Sequence, residues 1–248
     1  MLDDLQAQAQ RCSELIKQSK SISVLTGAGI STGAGIPDFR GPQGLYVSRQ
    51  YDPDKVFDIN YFLTDPKPFF DFARDFITLE AKIKPTFTHR FLSDLESQGK
   101  LKGIITQNID ALHQQAGSEN VLELHGNFLE NFCIECDKKY SYEFVKDKIT
   151  RGEIPYCVCG GVIKPDVVFF GENVKFLEEA YALAESVDLF LIIGTSCVVY
   201  PAATIPSLTT GKVVVVNQQA VAIPSANIVL SVQEDIDRFF QSVAECLV

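Results

Sequence analysis

The sequence predicts an α/β fold in which a Rossmann-like parallel sheet domain carries a smaller domain. Two observations lead to this prediction. Apolar stretches of strand length, several of them rich in valine and isoleucine, alternate with stretches that have the apolar period of a helix. Between residues 129 and 164 this alternation stops, and the chain becomes polar, aromatic and rich in cysteine. We therefore expect a parallel sheet that is covered by helices and joined to a module of different construction.

The elements are expected in a regular order. Residues 2–19 repeat apolar side chains on one face, which is typical of an amphipathic helix, and residues 21–25 predict a buried strand. Residues 57–83 are rich in phenylalanine, and Pro66 and Pro68 favour a helix start there. We expect a helical insertion whose aromatic rings pack over the sheet domain. Further helices are expected over residues 88–95, 176–185, 202–209 and 235–247, and further strands over residues 103–106, 121–124, 167–170, 189–193, 212–216 and 228–230.

The domain boundaries are placed where the character of the chain changes. The Rossmann-like domain is expected to comprise residues 1–40, 84–128 and 165–248. The small domain is expected to combine the helical insertion, residues 41–83, with the cysteine-bearing module, residues 129–164.

The charge and composition limit the kinds of partner. The chain has 32 acidic and 22 basic residues, for a formal net charge of −10. Such an acidic chain is a poor ligand for nucleic-acid phosphates and suits a cationic partner such as a lysine-bearing peptide. No stretch resembles a signal peptide or a membrane span, so we expect a cytoplasmic protein without direct nucleic acid or membrane binding. In that compartment, seven cysteines favour metal binding or free thiols over disulfides.

A glycine-rich stretch follows the first expected strand. Gly27 and Gly29 come directly after the strand, and Ile36-Pro37-Asp38-Phe39-Arg40 follows a few residues later. Glycines at this point of a βα unit let backbone N–H groups approach a pyrophosphate. The proline and the Arg-Gly-Pro bend after it predict a loop that covers the nucleotide, with Arg40 as a phosphate partner.

Four cysteines have the spacing of a structural zinc site. Cys133 and Cys136 form one close pair, and Cys157 and Cys159 form a second pair after twenty intervening residues. Four thiolates fill a tetrahedron and leave no position for water, so the zinc would hold the module together without reacting. The alternative is four free thiols in a loop.

Polar side chains follow two of the expected strands. Gln107, Asn108 and Asp110 come after residues 103–106, and His125 ends the strand over residues 121–124. The carboxyl ends of parallel strands form the ligand-binding edge of an open α/β sheet. An imidazole at that edge suits general-base catalysis on a hydroxyl, and a strand-capping role is the alternative.

Together these motifs resemble the sirtuin family of NAD-dependent protein-lysine deacylases over about residues 20–240. The residues that carry the resemblance are Gly27-Ala28-Gly29-Ile30-Ser31, Gly35-Ile36-Pro37-Asp38-Phe39-Arg40, Thr106-Gln107-Asn108-Ile109-Asp110, His113, Leu124-His125-Gly126, the four cysteines, Pro165-Asp166-Val167-Val168-Phe169-Phe170-Gly171-Glu172, Gly194-Thr195-Ser196, Val199-Tyr200-Pro201-Ala202 and Val216-Asn217.

The resemblance implies a role for each part of the site. The residues expected to contact NAD are Gly27, Ala28, Gly29, Thr32, Asp38, Phe39, Arg40, Gln107, Asn108, Ile109, Asp110, Gly194, Thr195, Ser196, Asn217, Gln218 and Ile236. The acyl-lysine peptide would add as a strand between Val168, Phe169, Phe170, Gly171 and Glu172 on one side and Val198, Val199 and Tyr200 on the other. His125, with Asn108 and Asp110, is the implied catalytic set.

The implied reaction consumes NAD as a co-substrate. The acyl oxygen of the lysine attacks the nicotinamide ribose and nicotinamide leaves. His125 then takes a proton from a ribose hydroxyl, whose oxygen attacks the acyl-imidate carbon. Water completes the reaction and gives free lysine and 2′-O-acyl-ADP-ribose. Sirtuins that favour dicarboxylic acyl groups carry a Tyr-x-x-Arg pair in the helical insertion. The stretch placed against it, Phe72-Ala73-Arg74-Asp75, lacks that pair, so we expect deacetylation or removal of other neutral acyl groups. Short chains of this kind can act as monomers, and we expect a monomer here.

Three other functions fit parts of the sequence. A conventional NAD dehydrogenase would share the sheet and the glycine turn. It would need an acidic residue after the second strand, and Asp52 and Asp54 have the right offset but fall in a proline-bearing loop. A zinc-bearing NAD or ADP-ribose binding module without turnover is the second alternative. Mono-ADP-ribosyl transfer, which shares the first chemical step, is the third.

Overall fold

The computed structural model describes residues 2–38, 51–80, 82–223 and 227–247. Within these ranges the α-helices are α1 (Leu2–Gln18), α2 (Pro53–Val56), α3 (Ile59–Thr64), α4 (Lys67–Glu80), α5 (Phe87–Ser97), α6 (Leu112–Gln115), α7 (Tyr142–Thr150), α8 (Leu177–Glu185) and α9 (Ile236–Leu247). The strands are β1 (Ile22–Thr26), β2 (Leu101–Thr106), β3 (Val121–Glu123), β4 (Gly126–Cys133), β5 (Lys139–Tyr140), β6 (Ile163–Val167), β7 (Leu189–Ile193), β8 (Lys212–Asn217) and β9 (Ile228–Gln233). Ala28–Ala34 and Ala202–Ser207 are 3₁₀-helices.

Six strands pair in parallel in the order β3-β2-β1-β7-β8-β9. The chain builds outwards from β1 in one direction and later returns to build outwards from β7 in the other. The strand order therefore reverses between β1 and β7, and in open α/β sheets ligands bind at the carboxyl ends of the strands at such a point.

Helices cover both faces of this sheet. On one face α1, α5 and α9 bury their apolar sides, with Phe239 and Phe240 of α9 fully covered. On the other face α8 and the second 3₁₀-helix pack against the alternate residues of the strands. All residues of β1 and β7 are buried, which explains why these strands read as continuous apolar stretches.

The small domain has a core of aromatic rings. Phe62 and Phe69 of the helical insertion contact Phe169, with ring centroids 5.3 and 4.9 Å apart. Phe76 stacks on Phe128 at 5.0 Å. Phe128 and Phe169 flank the cysteine-bearing module, and Cys133, Val145 and Ile163 of the module belong to the same buried cluster. The insertion thus shares the core of the module, whereas the sequence led us to expect its rings over the sheet domain. The expected division of the chain into two domains, with its boundaries, stays a prediction.

An antiparallel sheet in the order β5-β4-β6 links the two parts. β4 begins at Gly126, before the expected start of the module, and β6 ends at Val167, where a strand had been expected to begin. The pairing of Cys133 with Ile163 and of Gly126 with Val167 defines both strands. Gly126 has φ 69°, and a Cβ there would lie 1.7 Å from the carbonyl oxygen of Asp166, so only glycine fits this crossing.

None of the helices in the described part of the chain combines the length and the apolar character that a membrane crossing requires.

Candidate active site

A cavity of about 400 Å³ opens at the carboxyl ends of β1 and β7, at the point where the strand order reverses. Most of the residues expected to bind or act on NAD line it: Gly27, Ala28, Gly29, Thr32, Asp38, Gln107, Asn108, Ile109, His125, Gly194, Thr195, Ser196, Asn217, Gln218 and Ile236. The cavity is also lined by Val168, Phe169, Phe170, Gly171, Glu172, Val199 and Tyr200, which were expected to contact the peptide. The fold thus brings segments from across the chain to one site.

The glycines after β1 and β7 let two loops touch. A Cβ on Gly27 would lie 2.7 Å from the Cβ of Thr195, and a Cβ on Gly29 would lie 2.7 Å from the Cα of Gly194. The N–H groups of Gly27 and Gly29 donate to the carbonyl oxygens of Ile193 and Gly194, at 3.1 and 2.8 Å. The N–H groups of Gly27 and Gly29 therefore already have hydrogen-bond partners within the protein. The glycines permit close packing of the loops that form the floor of the cavity, in addition to leaving it free of side chains.

His125 lies in the cavity wall with one ring nitrogen engaged. Its Nδ1 is 2.8 Å from the carbonyl oxygen of Gln107. A carbonyl only accepts, so Nδ1 carries the proton and Nε2 of the neutral ring holds a free lone pair. Burial lowers the pKa of His125 below its usual range, and the hydrogen bond to Gln107 opposes that shift. The neutral ring is therefore the dominant form at pH 7, and Nε2 is ready to accept a proton.

The segment after β2 is held by side-chain hydrogen bonds. Gln107 donates from Nε2 to the hydroxyl of Thr195 at 2.9 Å, which joins the loop after β2 to the loop after β7. Asn108 donates from Nδ2 to Ser31 Oγ at 3.2 Å and to Asp110 Oδ2 at 3.3 Å. These contacts fix the Asn108 side chain between the glycine-rich segment and Asp110.

Asp110 is buried beside the main cavity and does not line it. Its carboxylate accepts from Ser31 Oγ at 2.6 Å and from the backbone N–H of Leu112 at 3.0 Å. Burial raises the pKa of Asp110, and the hydrogen bonds from Ser31, Leu112 and Asn108 oppose this. Asp110 lines a second cavity of about 180 Å³, which shares Ala28, Asn108 and Ile109 with the first and continues to the helical insertion.

The expected peptide cleft has one edge with free backbone groups. In the part of the chain that the structure describes, the backbone of Val198 and Tyr200 makes no hydrogen bond, and the two residues are 50% and 75% exposed. On the opposite side Phe170 is 49% exposed, although its backbone is already paired with Phe57 and Ile59. Val198 flanks the cavity without lining it.

The four cysteines of the module meet at one point. Their Sγ atoms all lie within 4.8 Å of one another, with 3.4 Å between Cys133 and Cys159, 3.7 Å between Cys136 and Cys157, and 3.5 Å between Cys136 and Cys159. Thiolates on a tetrahedral zinc at about 2.3 Å are about 3.8 Å apart. The separations and the donor set fit a closed metal site. Gly160, at φ 92°, supplies the turn after the second pair.

Some site residues lie outside the description or outside the sequence prediction. Phe39 and Arg40, expected beside NAD, lie outside the described residues. Further residues line the cavity that were not among the expected contact residues: Val167 and Pro201, which lie inside the quoted motifs, and Phe57, Val174, Gln219, Ala220 and Val221, which lie outside them. The stretch 219–221 directly continues the segment after β8, so its position next to Asn217 was an available signal. Phe57 reaches the cavity only through the packing of the small domain.

Comparison with known proteins agrees with this geometry. The Sir2 family model matches residues 27–201. An NAD-dependent protein deacetylase of Thermotoga maritima is 46% identical over 210 residues, covering 82% of this chain and 84% of that protein. Another, from Sulfurisphaera tokodaii, is 43% identical over 243 residues, covering 96% and 95%.

Solved structures resemble the whole chain. One, described as the structural basis for the mechanism and regulation of Sir2 enzymes, has a TM-score of 0.90 at 35% sequence identity. The match covers 97% of this chain and 98% of the chain in that structure. A second, Sir2 with a p53 peptide and NAD⁺, has a TM-score of 0.86 at 41% identity and covers 95% and 96%. With a family model over most of its length and relatives of this identity, the chain belongs to the Sir2 family, the sirtuins.

Proposed function

We infer that this chain is an NAD-dependent protein-lysine deacetylase, which transfers the acetyl group of an acetyl-lysine to ADP-ribose and releases nicotinamide and free lysine. This inference rests on the free Nε2 of His125, which lies in a cavity of a Sir2 fold at the point where the strand order reverses, here called the switch point. Structures of Sir2 relatives with NAD⁺ and a p53 peptide, and with 2′-O-acetyl-ADP-ribose and a deacetylated p53 peptide, support it.

The cavity fits a dinucleotide. It lies above the loops after β1 and β7, whose glycines keep side chains out of its floor. Gln107 and Asn217 present amide groups at its wall, and Thr195 and Ser196 present hydroxyls. Among the described lining residues there is no lysine or arginine. Backbone and hydroxyl groups, together with Arg40, are therefore the proposed partners of the pyrophosphate.

The protein's own groups then have defined tasks. Bound NAD supplies the reacting ribose carbon and nicotinamide as the leaving group. His125 Nε2 accepts the proton of a ribose hydroxyl, and the Gln107 carbonyl keeps the ring in the required tautomer. Asn108 directs polar atoms at the nicotinamide end of the site, and the apolar side chains of Ile109 and Val167 exclude water there.

The peptide is proposed to bind by strand addition. The free backbone groups of Val198 and Tyr200 can pair with an extended chain, and the segment from Val168 to Glu172 forms the opposite wall. Main-chain pairing gives affinity with loose side-chain selectivity, which suits an enzyme that acts on several lysine-bearing sequences. The net charge of −10 favours cationic segments.

A structural zinc ion is proposed at Cys133, Cys136, Cys157 and Cys159. Four sulfurs at these separations match the tetrahedral geometry and leave no open position. When bound, the ion would supply folding energy to the module and would take no part in deacetylation.

Nicotinamide release separates this function from a dehydrogenase. In a dinucleotide-binding dehydrogenase, an acidic residue after the second strand of the first βαβ unit holds the adenosine ribose. Here Gln107 and Asn108 follow β2, while Asp54 lies in α2 of the small domain. We expect free nicotinamide and no reduced cofactor when the protein acts on an acetyl-lysine peptide with NAD⁺. Absorbance of NADH without nicotinamide release would contradict the proposal.

The remaining expectations stay predictions. A cytoplasmic location and the absence of direct nucleic acid binding are expected from composition and charge, and a monomeric state is expected because short chains of this kind can act as monomers. The activity proposed here does not depend on them.

A further inference from the structure

A buried lysine lies beneath the peptide cleft. The side chain of Lys164, in β6, is only 2% exposed. Lysine is almost never buried to this extent unless its charge is paired. Its position in the small sheet places it directly before the segment from Val168 to Glu172, which lines the cavity.

The ammonium group of Lys164 contacts two oxygen acceptors and the face of an aromatic ring. Nζ donates to the carbonyl oxygen of Val167 at 2.6 Å and to Oε2 of Glu172 at 2.9 Å. It also lies 4.1 Å from the centroid of the Phe169 ring, which is cation–π distance. Two of the three N–H donors of the ammonium are thus bonded to oxygen, and the aromatic face lies beside its charge. Burial lowers the pKa of Lys164, and the Glu172 carboxylate opposes that shift.

Glu172 connects this lysine to the backbone of the cleft. The same Oε2 accepts from the backbone N–H of Phe169 at 2.8 Å, and the Glu172 N–H donates to the Phe169 carbonyl at 3.0 Å. Residues 169–172 are thus closed into a turn, and the turn is attached to β6 through Lys164. The exposed Phe170 ring is presented from the outside of this turn.

We propose that Lys164 is a positioning residue that fixes the turn from Phe169 to Glu172 in the conformation that accepts the acyl-lysine peptide. This rests on the proposed function, in which that turn forms one wall of the peptide cleft. Both hydrogen-bond acceptors of the ammonium and its nearer aromatic ring lie within residues 167–172, and a second ring, Phe132 of β4, is 6.0 Å away. The NAD-binding loops follow β1, β2, β7 and β8. Only Val167 among these contacts also faces the nicotinamide end of the cavity, so we expect the loss of Lys164 to act mainly on peptide binding.

The test measures kcat and both KM values for Lys164→Met. Methionine keeps the length and apolar stem and removes the charge and the donors. We expect the peptide KM to rise about tenfold, with kcat and the NAD KM within about twofold of wild type, because a loss of peptide binding alone changes KM. Lys164→Arg, which keeps a charged donor, is expected to restore most of the peptide affinity.

The control is Lys148→Met. It removes the same charge from the same small domain, but Lys148 is exposed and pairs with Glu153 on the surface. Its kinetics should match wild type. If Lys164→Met does not fold, Glu172→Gln is the second variant, because it weakens the same ion pair while keeping the side-chain shape. It should give the same rise in peptide KM.

The outcomes separate the two proposals. Wild-type protein that forms no acetyl-ADP-ribose would overturn the proposed function. If the wild type is active, an unchanged peptide KM in folded Lys164→Met would overturn the positioning role. A fall in kcat together with rises of similar size in both KM values would also overturn it. An equal rise in peptide KM for Lys148→Met would also overturn it, because the effect would then be one of net charge.

Discussion

The proposed chemistry of His125 depends on one hydrogen bond that its ring donates to the end of a neighbouring strand. The carbonyl oxygen of Gln107 accepts from Nδ1, which leaves Nε2 as the basic nitrogen. Gln107 is in turn held to Thr195 through its side chain, so the loops after β2 and β7 both contribute to the orientation of the ring. A base that is held in one tautomer needs no rearrangement before it accepts a proton.

Replacing His125 by alanine tests this role. We expect deacetylation to fall by at least about a hundredfold, because general-base catalysis typically contributes 10² to 10⁴ in rate. The fold should persist, since the ring makes a single hydrogen bond worth about 1 kcal/mol. Turnover is measured by chromatography of the deacetylated peptide, with the melting temperature as the control. Near-normal turnover in the folded variant would show that another group is the base.

The other two histidines show what position in the sequence does not reveal. His89 and His113 are both buried, with ring centroids 4.7 Å apart. His113 Nε2 lies 3.0 Å from the hydroxyl of Thr26, and His89 Nδ1 accepts from the backbone N–H of Thr86. The sequence placed His113 one helical turn after Asp110, but its partner is 87 residues away. His89 and His113 line neither of the two cavities described above, which distinguishes them from His125.

Burial of His89 predicts a pH dependence of stability. Burial lowers the pKa of His89 to about 4, whereas an unfolded histidine titrates near 6.5. Between these values the unfolded chain binds a proton that the folded chain does not, so the free energy of unfolding falls as the pH falls below 6.5. From pH 7.5 to 5.5 we expect the wild type to lose about 1 kcal/mol more than His89→Gln. Urea unfolding at both pH values measures this, and equal losses would contradict it.

At the scale of elements, the sequence predicted those whose signal is local. β7 was expected over residues 189–193 and is observed there, because a fully buried parallel strand is a continuous apolar stretch. β4 and β6 differ from expectation because their bounds depend on pairing between residues about 30 positions apart, such as Cys133 with Ile163. The helical insertion was foreseen, but its contact with Phe128 and Phe169 was not.

The cysteine module is an element that we propose to be held together by zinc. We expect Cys157→Ser to lose bound zinc and to unfold the module, because three thiolates and a hydroxyl form a much weaker site. Cys246→Ser is the matched control, since Cys246 lies in α9 outside the cluster and should keep the wild-type zinc content. Metal analysis and hydrogen exchange over residues 129–164 are the measurements. Full zinc occupancy in Cys157→Ser would refute the assignment.

At the scale of the molecule, the strand order brings together what the sequence keeps apart. The glycine turn, the polar ends of β2 and β3, and the loops after β7 and β8 span nearly 200 residues, yet they line one cavity because β1 and β7 are neighbours. Sequence motifs alone could name most of these residues. They could not show that Asp110 lines the adjoining cavity, since this depends on its hydrogen bonds with Ser31 and Leu112.

The second cavity bears on acyl preference. It reaches the helical insertion, where Phe72, Phe76 and Leu79 line it together with Asp75. Among the described lining residues there is no cation, and Arg74 pairs with Asp71 and Asp75. A second carboxylate would meet an apolar and anionic wall. We expect kcat/KM for an acetyl-lysine peptide to exceed that for the succinyl-lysine peptide by at least about tenfold, and a higher value for succinyl-lysine would contradict this.

The central claim is that the cavity at the switch point joins NAD and an acyl-lysine so that the acetyl group passes to ADP-ribose. Mass spectrometry of a reaction with acetyl-lysine peptide and NAD⁺ tests it directly. We expect the reaction to yield deacetylated peptide, nicotinamide and 2′-O-acetyl-ADP-ribose in equal amounts. Free acetate with intact NAD⁺, or peptide that remains acetylated, would contradict it.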